Sequence, residues 1–286
     1  MTAMSAPTCW PIVARNHFSK PMNVLIDALG TAHQVIGTDK PRIVSLVPSV
    51  TELLCDLGLA GCLVGRTGFC IHPHEIVGHI PKVGGTKDVN IAKVKSLAPT
   101  HLIVNIDENE KPCVEQLGQF IPHVIVTHPQ KLDDNLALYA LLGGIFNADA
   151  AADHLIRQFN AVRQALLQQP ARTQRVLYCI WKDPWMTVSS ATYIADMLAQ
   201  IGWQVLHDGA VRYPAFTWSD QLVSEAELIL LSSEPYRFTE QHVDALERQC
   251  GKPVMLVDGE MLSWYGSRAI AGIKYLNTLR FELPAR

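Results

Sequence analysis

One order of elements occurs twice along this chain, and that repetition limits the fold more than any single motif does. The segment "PRIVSLVPSVTELLCDLG" reads as a strand over 43–47, a Pro-Ser break and a helix that Gly58 ends. Ser49 is the expected N-cap of that helix, with Glu52 three residues on as its capping-box partner. The pattern continues with "CLVGRTG" as a strand, "NIAKVKSLAP" as a helix, "THLIVNI" as a strand, "KPCVEQLGQF" as a helix and "HVIVTHP" as a strand. About 130 residues further on the order returns. "RVLYCIWKDPWMTVSSATYIADMLAQIG" is again strand, loop, helix and closing glycine; "SEAELILLSSEP" echoes "SLAPTHLIVNIDE", and "KPVMLVDGE" echoes "PHVIVTHP". Strands alternating with helices predict an α/β fold with parallel sheets covered on both faces. Two rounds of them predict two Rossmann-like lobes.

Between the rounds lies "NADAAADHLIRQFNAVRQALLQQP". Its Leu155, Phe159, Val162 and Leu166 step by four, three and four, which is one face of a long helix, and Pro170 stops it. The expected division is an N-terminal lobe over 1–146, a connecting helix over 147–170 and a C-terminal lobe over 171–286. Within the first lobe, "NVLIDALGTAHQVIG" predicts a hairpin over about 23–37. A chain of 286 residues suits two lobes of ordinary size.

Charge and composition remove several function classes. A net charge of −3 offers no basic field for nucleic acid or an anionic membrane. No run is long and apolar enough to insert into a bilayer. The start, "MTAMSAPTCWPIVARNHFSKPM", lacks the basic and apolar regions of a secretory signal, and Cys9 lacks the apolar run a lipoprotein signal needs. A cytoplasmic location is therefore the expectation, or a periplasmic one if the natural start lies upstream. The seven cysteines are odd in number and form no CxxC pair, which fits a reducing compartment better than a disulfide framework.

Parallel sheets bind ligands beyond the carboxyl ends of their strands, so the chemistry is sought there. The first strand is followed by Pro48 and Ser49, the second by Phe69, Cys70 and His72, and the third by "DENEK", with Glu108 and Asn109. In the second round the same places hold Trp181 and Trp185, Tyr213, Glu234 and Tyr236, and finally "LVDGEMLSWYGSR", with Asp258, Glu260, Trp264, Tyr265 and Arg268. Aromatic and polar side chains gathered in this way suit a small-molecule ligand. The aromatics would supply flat contact area, Ser49 with its helix N-terminus an anion site, and Arg268 a fork for a carboxylate or phosphate. His72 would serve as a metal ligand, although Cys70-x-His72 has no second Cys/His pair to complete a zinc site. GxSxG, HExxH, P-loop and GxGxxG motifs are all missing, which leaves a Cys70–His72 thiolate or a His72–Glu260 acid–base pair as the catalytic alternatives. For the plainer reading, "DENEK" is a solvated helix start and one of the two "WKDPW" tryptophans belongs to the core.

"NVLIDALGTAHQVIGTDKPRIVSLVPSVTELLCDLGLAGCLVGRTGF", "SLAPTHLIV" and the mid-chain helix resemble the substrate-binding proteins of iron-complex and cobalamin ABC importers, the helical-backbone metal receptor superfamily. "GFCIHP", "VGGTK", "SSEPYRF" and "DGEMLSWYGSR" resemble its signal-less branch. The resemblance implies a class III substrate-binding fold, two lobes joined by one rigid helix, with a corrinoid or metal chelate held in the cleft between them. It implies a binding protein rather than an enzyme, with an enzyme or ligand sensor on the same fold as the alternative. Phe69 and Tyr213 fall where corrinoid-binding members carry aromatics. Thr86 stands where cobalamin-binding members carry Trp, and haem-binding members place a liganding Tyr near that point. Ala92 and Ser219 stand where importer-coupled members carry the glutamates that dock on the permease, so coupling to the usual ABC permease is not expected.

Overall fold

In the computed structural model, which describes residues 25–169 and 172–281, the chain divides into two compact units. One comprises Met1–His128 with Leu136–Leu155; the other comprises Pro129–Asn135 with Ile156–Arg286. The reading of the first residues as a poor signal, the hairpin positions Asn23 and Val24, and the stop at Pro170 lie outside the described residues.

The first unit opens on a short antiparallel hairpin, β1 (Leu25–Ile26) with β2 (Ala32–His33). Asp27 anchors it: the carboxylate accepts from the backbone N–H groups of Leu29, Thr31 and Val126 and pairs with His33 at 3.1 Å. Burial alone would raise the pKa of Asp27, but His33 and the three N–H groups outweigh it and hold the carboxyl below its usual range. There follow β3 (Ile43–Ser45), α1 (Pro48–Asp56), β4 (Leu63–Arg66), α2 (His74–Val77), α3 (Ile91–Ser96), β5 (His101–Asn105), α4 (Lys111–Gly118) and β6 (His123–Thr127). The four later strands form a parallel sheet in the order β4-β3-β5-β6. Every residue of β3 and β5 is buried, as a sheet covered on both faces requires. Val44, Leu46, Leu102 and Val104 of these segments share a core with Val94, Val114, Leu117 and Val126.

At the start of α1 the structure corrects the sequence reading. The N-cap is Val47, with no side-chain cap, and Pro48 is the first helical residue, where its fixed φ and missing N–H cost nothing. Ser49 lies inside the first turn, buried, with no hydrogen-bond partner for its Oγ. Gly58 follows the C-cap Leu57 in the left-handed region (φ 77°), as its place in the sequence suggests.

Two helices come next, α5 (Asp134–Ile145) and α6 (Asp149–Leu167). On α6, Leu155, Phe159 and Leu166 are buried and Val162 half-buried, and the division between the units falls within it, after Leu155.

The second unit runs through β7 (Gln174–Trp181), β8 (Met186–Thr187), α7 (Tyr193–Ala199), β9 (Trp203–Val205), α8 (Asp220–Glu225), β10 (Leu228–Ser232), α9 (Glu240–Cys250), β11 (Val254–Val257), α10 (Gly259–Ser263) and α11 (Arg268–Leu279). Its parallel strands run β9-β7-β10-β11, the same path as β4-β3-β5-β6 in the first unit. One element departs from the expected loop. "WKDPW" reverses the chain, so β8 adds antiparallel to the end of β7, Trp181 opposite Met186.

Candidate functional site

In each unit the first strand has its neighbours added on opposite sides, so the connections leave in opposite directions at β3/β5 and at β7/β10. Such a switch point opens a crevice at the carboxyl ends of the strands.

In the first unit much of that end is tied together internally. Asn109 is buried; its Oδ1 accepts from the backbone of Asn105 at 2.9 Å, and its Nδ2 donates to the carbonyls of Leu46 at 3.3 Å and Thr86 at 2.9 Å. One amide thus joins the ends of β3 and β5 to the "VGGTK" loop. The acids of "DENEK" precede α4, with Glu110 as its N-cap; Asp107 lies 3.4 Å from His128, and Glu108 is half-buried. Pro48 is buried at the head of α1.

Cys70 is fully buried, with its Sγ 3.1 Å from both Thr51 Oγ1 and Thr67 Oγ1. Burial pushes the thiol pKa up. That corrects the activated-thiolate reading and takes Cys70 off the accessible surface. Its neighbours on either side face outward, Phe69 62% and Ile71 45% exposed, and His72 beyond them is half-buried. The Phe69 ring reaches over Gly85, where a Cβ would stand 3.4 Å from it. Among the described residues no three His, Cys, Asp or Glu side chains converge to hold a metal, so His72 has no such co-ligands there.

The second unit fills its strand ends with rings and charges. Trp185 stacks on Phe238 (5.7 Å, 12° between planes) and meets Trp218 edge-on at 5.3 Å. Phe216 and Tyr236 complete this cluster, which lies against the core of Leu177, Ile229 and Leu231. Trp185, half-buried, is therefore the member of "WKDPW" that packs against the core, whereas Trp181 is 39% exposed, edge-on to Tyr236 at 5.6 Å. Tyr213 is also exposed, and the Arg212 guanidinium lies 5.7 Å from its ring centre.

The last loop is braced residue by residue. Asp258 caps α10 by accepting from Met261 N at 3.3 Å. Trp264 and Tyr265 are buried; the indole Nε1 donates to Glu234 Oε1 at 2.8 Å, and Tyr265 meets Tyr193 edge-on at 6.0 Å. Gly266 turns the chain at φ 79° and donates its N–H to Asn135 Oδ1 at 2.6 Å. Arg268 pairs with Glu260 at 3.1 Å and lies over the Trp264 ring at 4.9 Å. Glu234 has its pKa raised, first by burial and then by the charges of Glu260 and Asp258, against the hydrogen bonds from Ser263 and Trp264.

The structure thus brings Glu234, Asp258, Glu260, Trp264 and Arg268 together in one wall, and Trp181 beside Tyr236. Tyr265 turns inward, and Cys70, Ser49 and Asn109 are internal. Sequence reasoning passed over Ser263, Thr51 and Asn135, which position those groups. Ser263 stood inside a segment already singled out, while Asn135 offers no local signal because its partners, Gly266 and Tyr193, are far along the chain. At the positions compared with permease-docking acids, Ala92 is exposed on α3 and Ser219 spends its hydroxyl capping α8, accepting from Leu222 N.

The profile of the periplasmic binding protein family matches residues 43–211. A vitamin B12-binding protein of Pectobacterium carotovorum is 22% identical over 234 residues, covering 80% of this chain and 84% of its own length. Among solved structures, the periplasmic vitamin B12 binding protein of Vibrio cholerae is 19% identical with a TM-score of 0.67, over 85% of this chain and 98% of that one. The periplasmic heme-binding protein of Roseiflexus sp. RS-1 is 20% identical with a TM-score of 0.71, over 85% and 99%. The shared fold is that of the two-lobed class III substrate-binding proteins.

Proposed function

We propose that this chain, which belongs to the periplasmic binding protein family, holds a flat macrocyclic ligand of the corrinoid or iron-chelate class at its strand-end loops. The observation that carries this reading is the exposure of aromatic rings at those loops, set beside polar groups that other residues hold in place. Phe69 is 62% exposed and Trp181 39% exposed, although burying either in a core would stabilise the fold. Rings left at the surface of a braced loop provide stacking area for a planar ligand. Relatives that bear the names of vitamin B12 and heme binders support the same class.

A binding role suits the side chains better than catalysis does. Cys70 is buried beneath two threonines, and Glu260, the carboxylate of the alternative acid–base pair, is engaged by Arg268. We place the protein apart from the usual ABC permease, supported by the uncharged Ala92 and by Ser219 acting as a helix cap. A cytoplasmic setting is part of the proposal, supported by the free cysteines Cys55, Cys62, Cys70, Cys113, Cys179 and Cys250; cell fractionation tests it.

Titrating the full chain with cyanocobalamin and with haem, followed by tryptophan fluorescence, tests the ligand class. Saturable binding of one of them is expected, and Phe69→Ala should weaken it about tenfold, the worth of one aromatic contact. Absence of saturable binding by both macrocycles overturns the reading.

A further inference from the structure

The two oxygens of Glu234 are in different situations. Oε1 accepts from Ser263 Oγ at 2.9 Å and from Trp264 Nε1 at 2.8 Å. Oε2 has no donor among the described residues, and it is not one of the buried, unpartnered polar atoms, so it meets solvent. The carboxyl is therefore oriented by one oxygen and offered by the other.

The surrounding loop holds that orientation. Ser232 Oγ donates to the Glu234 carbonyl at 2.6 Å and itself accepts from Tyr178 OH at 3.1 Å. Gly259 donates its N–H to Ser233 Oγ at 2.8 Å, and a Cβ there would stand 2.6 Å from Glu234 Cγ, so only glycine lets the two strand-end loops approach this closely.

The charge around Oε2 is negative. Glu260 and Asp258 lie close enough to disfavour ionisation of Glu234, and Arg268 is engaged by Glu260 at 3.1 Å and covered on one side by the Trp264 ring. An oriented acceptor in a negative setting accepts hydrogen bonds from N–H groups and repels a carboxylate. The macrocycles of the proposed class differ in this respect: corrinoids carry amide arms, whereas haem carries two carboxylates.

We propose that Glu234 is a specificity-determining residue that accepts a hydrogen bond from an amide N–H of the ligand and selects amide-bearing macrocycles over carboxylate-bearing ones. This rests on the reading of the strand-end loops as a macrocycle site. It assigns to Glu234 a direct contact with ligand, and to Ser263 and Trp264 the positioning of that contact.

Binding of cyanocobalamin is compared with binding of its hydrolysed derivative, whose propionamide arms are carboxylic acids, by calorimetry on the full chain at neutral pH. The wild-type chain should bind the amide form at least about tenfold more tightly, the worth of a hydrogen bond to a charged group. Glu234→Gln keeps an acceptor for Ser263 and Trp264 but removes the charge and can donate to a carboxylate. It should bring the ratio to within about twofold of unity. Equal affinities in the wild-type chain, or an unchanged ratio in Glu234→Gln, overturn the inference and leave the macrocycle reading standing. Binding of haem with no binding of the amide corrinoid does the same. Failure of every macrocycle to bind overturns both.

Discussion

The two units run their parallel strands along the same path, β4-β3-β5-β6 and β9-β7-β10-β11, yet they finish the strand ends in opposite ways. In the first unit small neutral groups tie much of the strand ends together, Thr51 and Thr67 on Cys70 and Asn109 on three stretches of backbone, and the ring of Phe69 stays exposed. In the second the strand ends are held by large rings and by charged groups that hold one another, as with Trp185 on Phe238 and Arg268 between Glu260 and Trp264. The difference teaches that topology decides where a crevice lies, whereas side-chain chemistry decides what it can recognise. A lattice of short neutral hydrogen bonds makes a rigid floor. A ring-and-charge wall leaves an oriented carboxyl oxygen at the surface.

Substitutions can break this contrast, and the largest effect is expected in the second unit. Trp185→Ala removes a ring that stacks on Phe238 and abuts Trp218, and should destabilise the protein by about 3 kcal/mol, seen as a lower denaturant midpoint. A change below about 1 kcal/mol would mean that the ring cluster is not the anchor of that wall.

In the first unit the corresponding blow is Asn109→Ala. Three hydrogen bonds disappear and buried backbone groups of Asn105 and Leu46 lose a partner, so a loss of about 2 kcal/mol is expected in the same measurement. Little effect would show that water replaces the amide, and the floor would then be less rigid than its bonds imply.

Acidification gives the smallest and most discriminating effect, because the two units respond with opposite sign. His101 stacks on His123 at 4.7 Å, and burial, followed by the charges of His123 and His33, lowers its pKa from 6.5 to about 4. Its contribution is whole above pH 6.5 and is lost as the pH falls towards about 4, because the unfolded chain binds the proton first. Glu234 has a raised pKa, so the folded state binds its proton first, and stability is gained as the pH falls through that value towards 4.5. Hydrogen exchange at pH 7 and pH 5, corrected for intrinsic rates, should show several-fold weaker protection of β5 amides at the lower pH, with β10 amides unchanged or better protected. Equal losses in β5 and β10 would remove the contrast.

Much of this was legible before any coordinates. The alternation of elements, the two rounds of it and the face of the long helix all rest on local periodicity, and periodicity needs no knowledge of distant contacts. The strand-end residues were legible as a set for the same reason. Their individual orientations were not. Cys70 and Phe69 are adjacent in sequence, yet one is wholly buried and the other 62% exposed, because Thr51, from another segment, takes the sulfur inward. Ser49 looked like a cap by spacing, and Pro48 took the first helical position ahead of it. "WKDPW" read as a loop, and its reversal into β8 was invisible because so short a strand has no period to detect.

The sequence by itself determined the class of fold, the doubling of the units and the segments that follow the strands. Hydrophobic period and turn residues are properties of neighbours in the chain. Tertiary structure alone decided which of those residues turn inward and which stay exposed. That choice depends on partners far along the chain: Asn135 holding Gly266, Asn109 holding Leu46 and Thr86, and Trp264 turning one oxygen of Glu234 inward and leaving the other free.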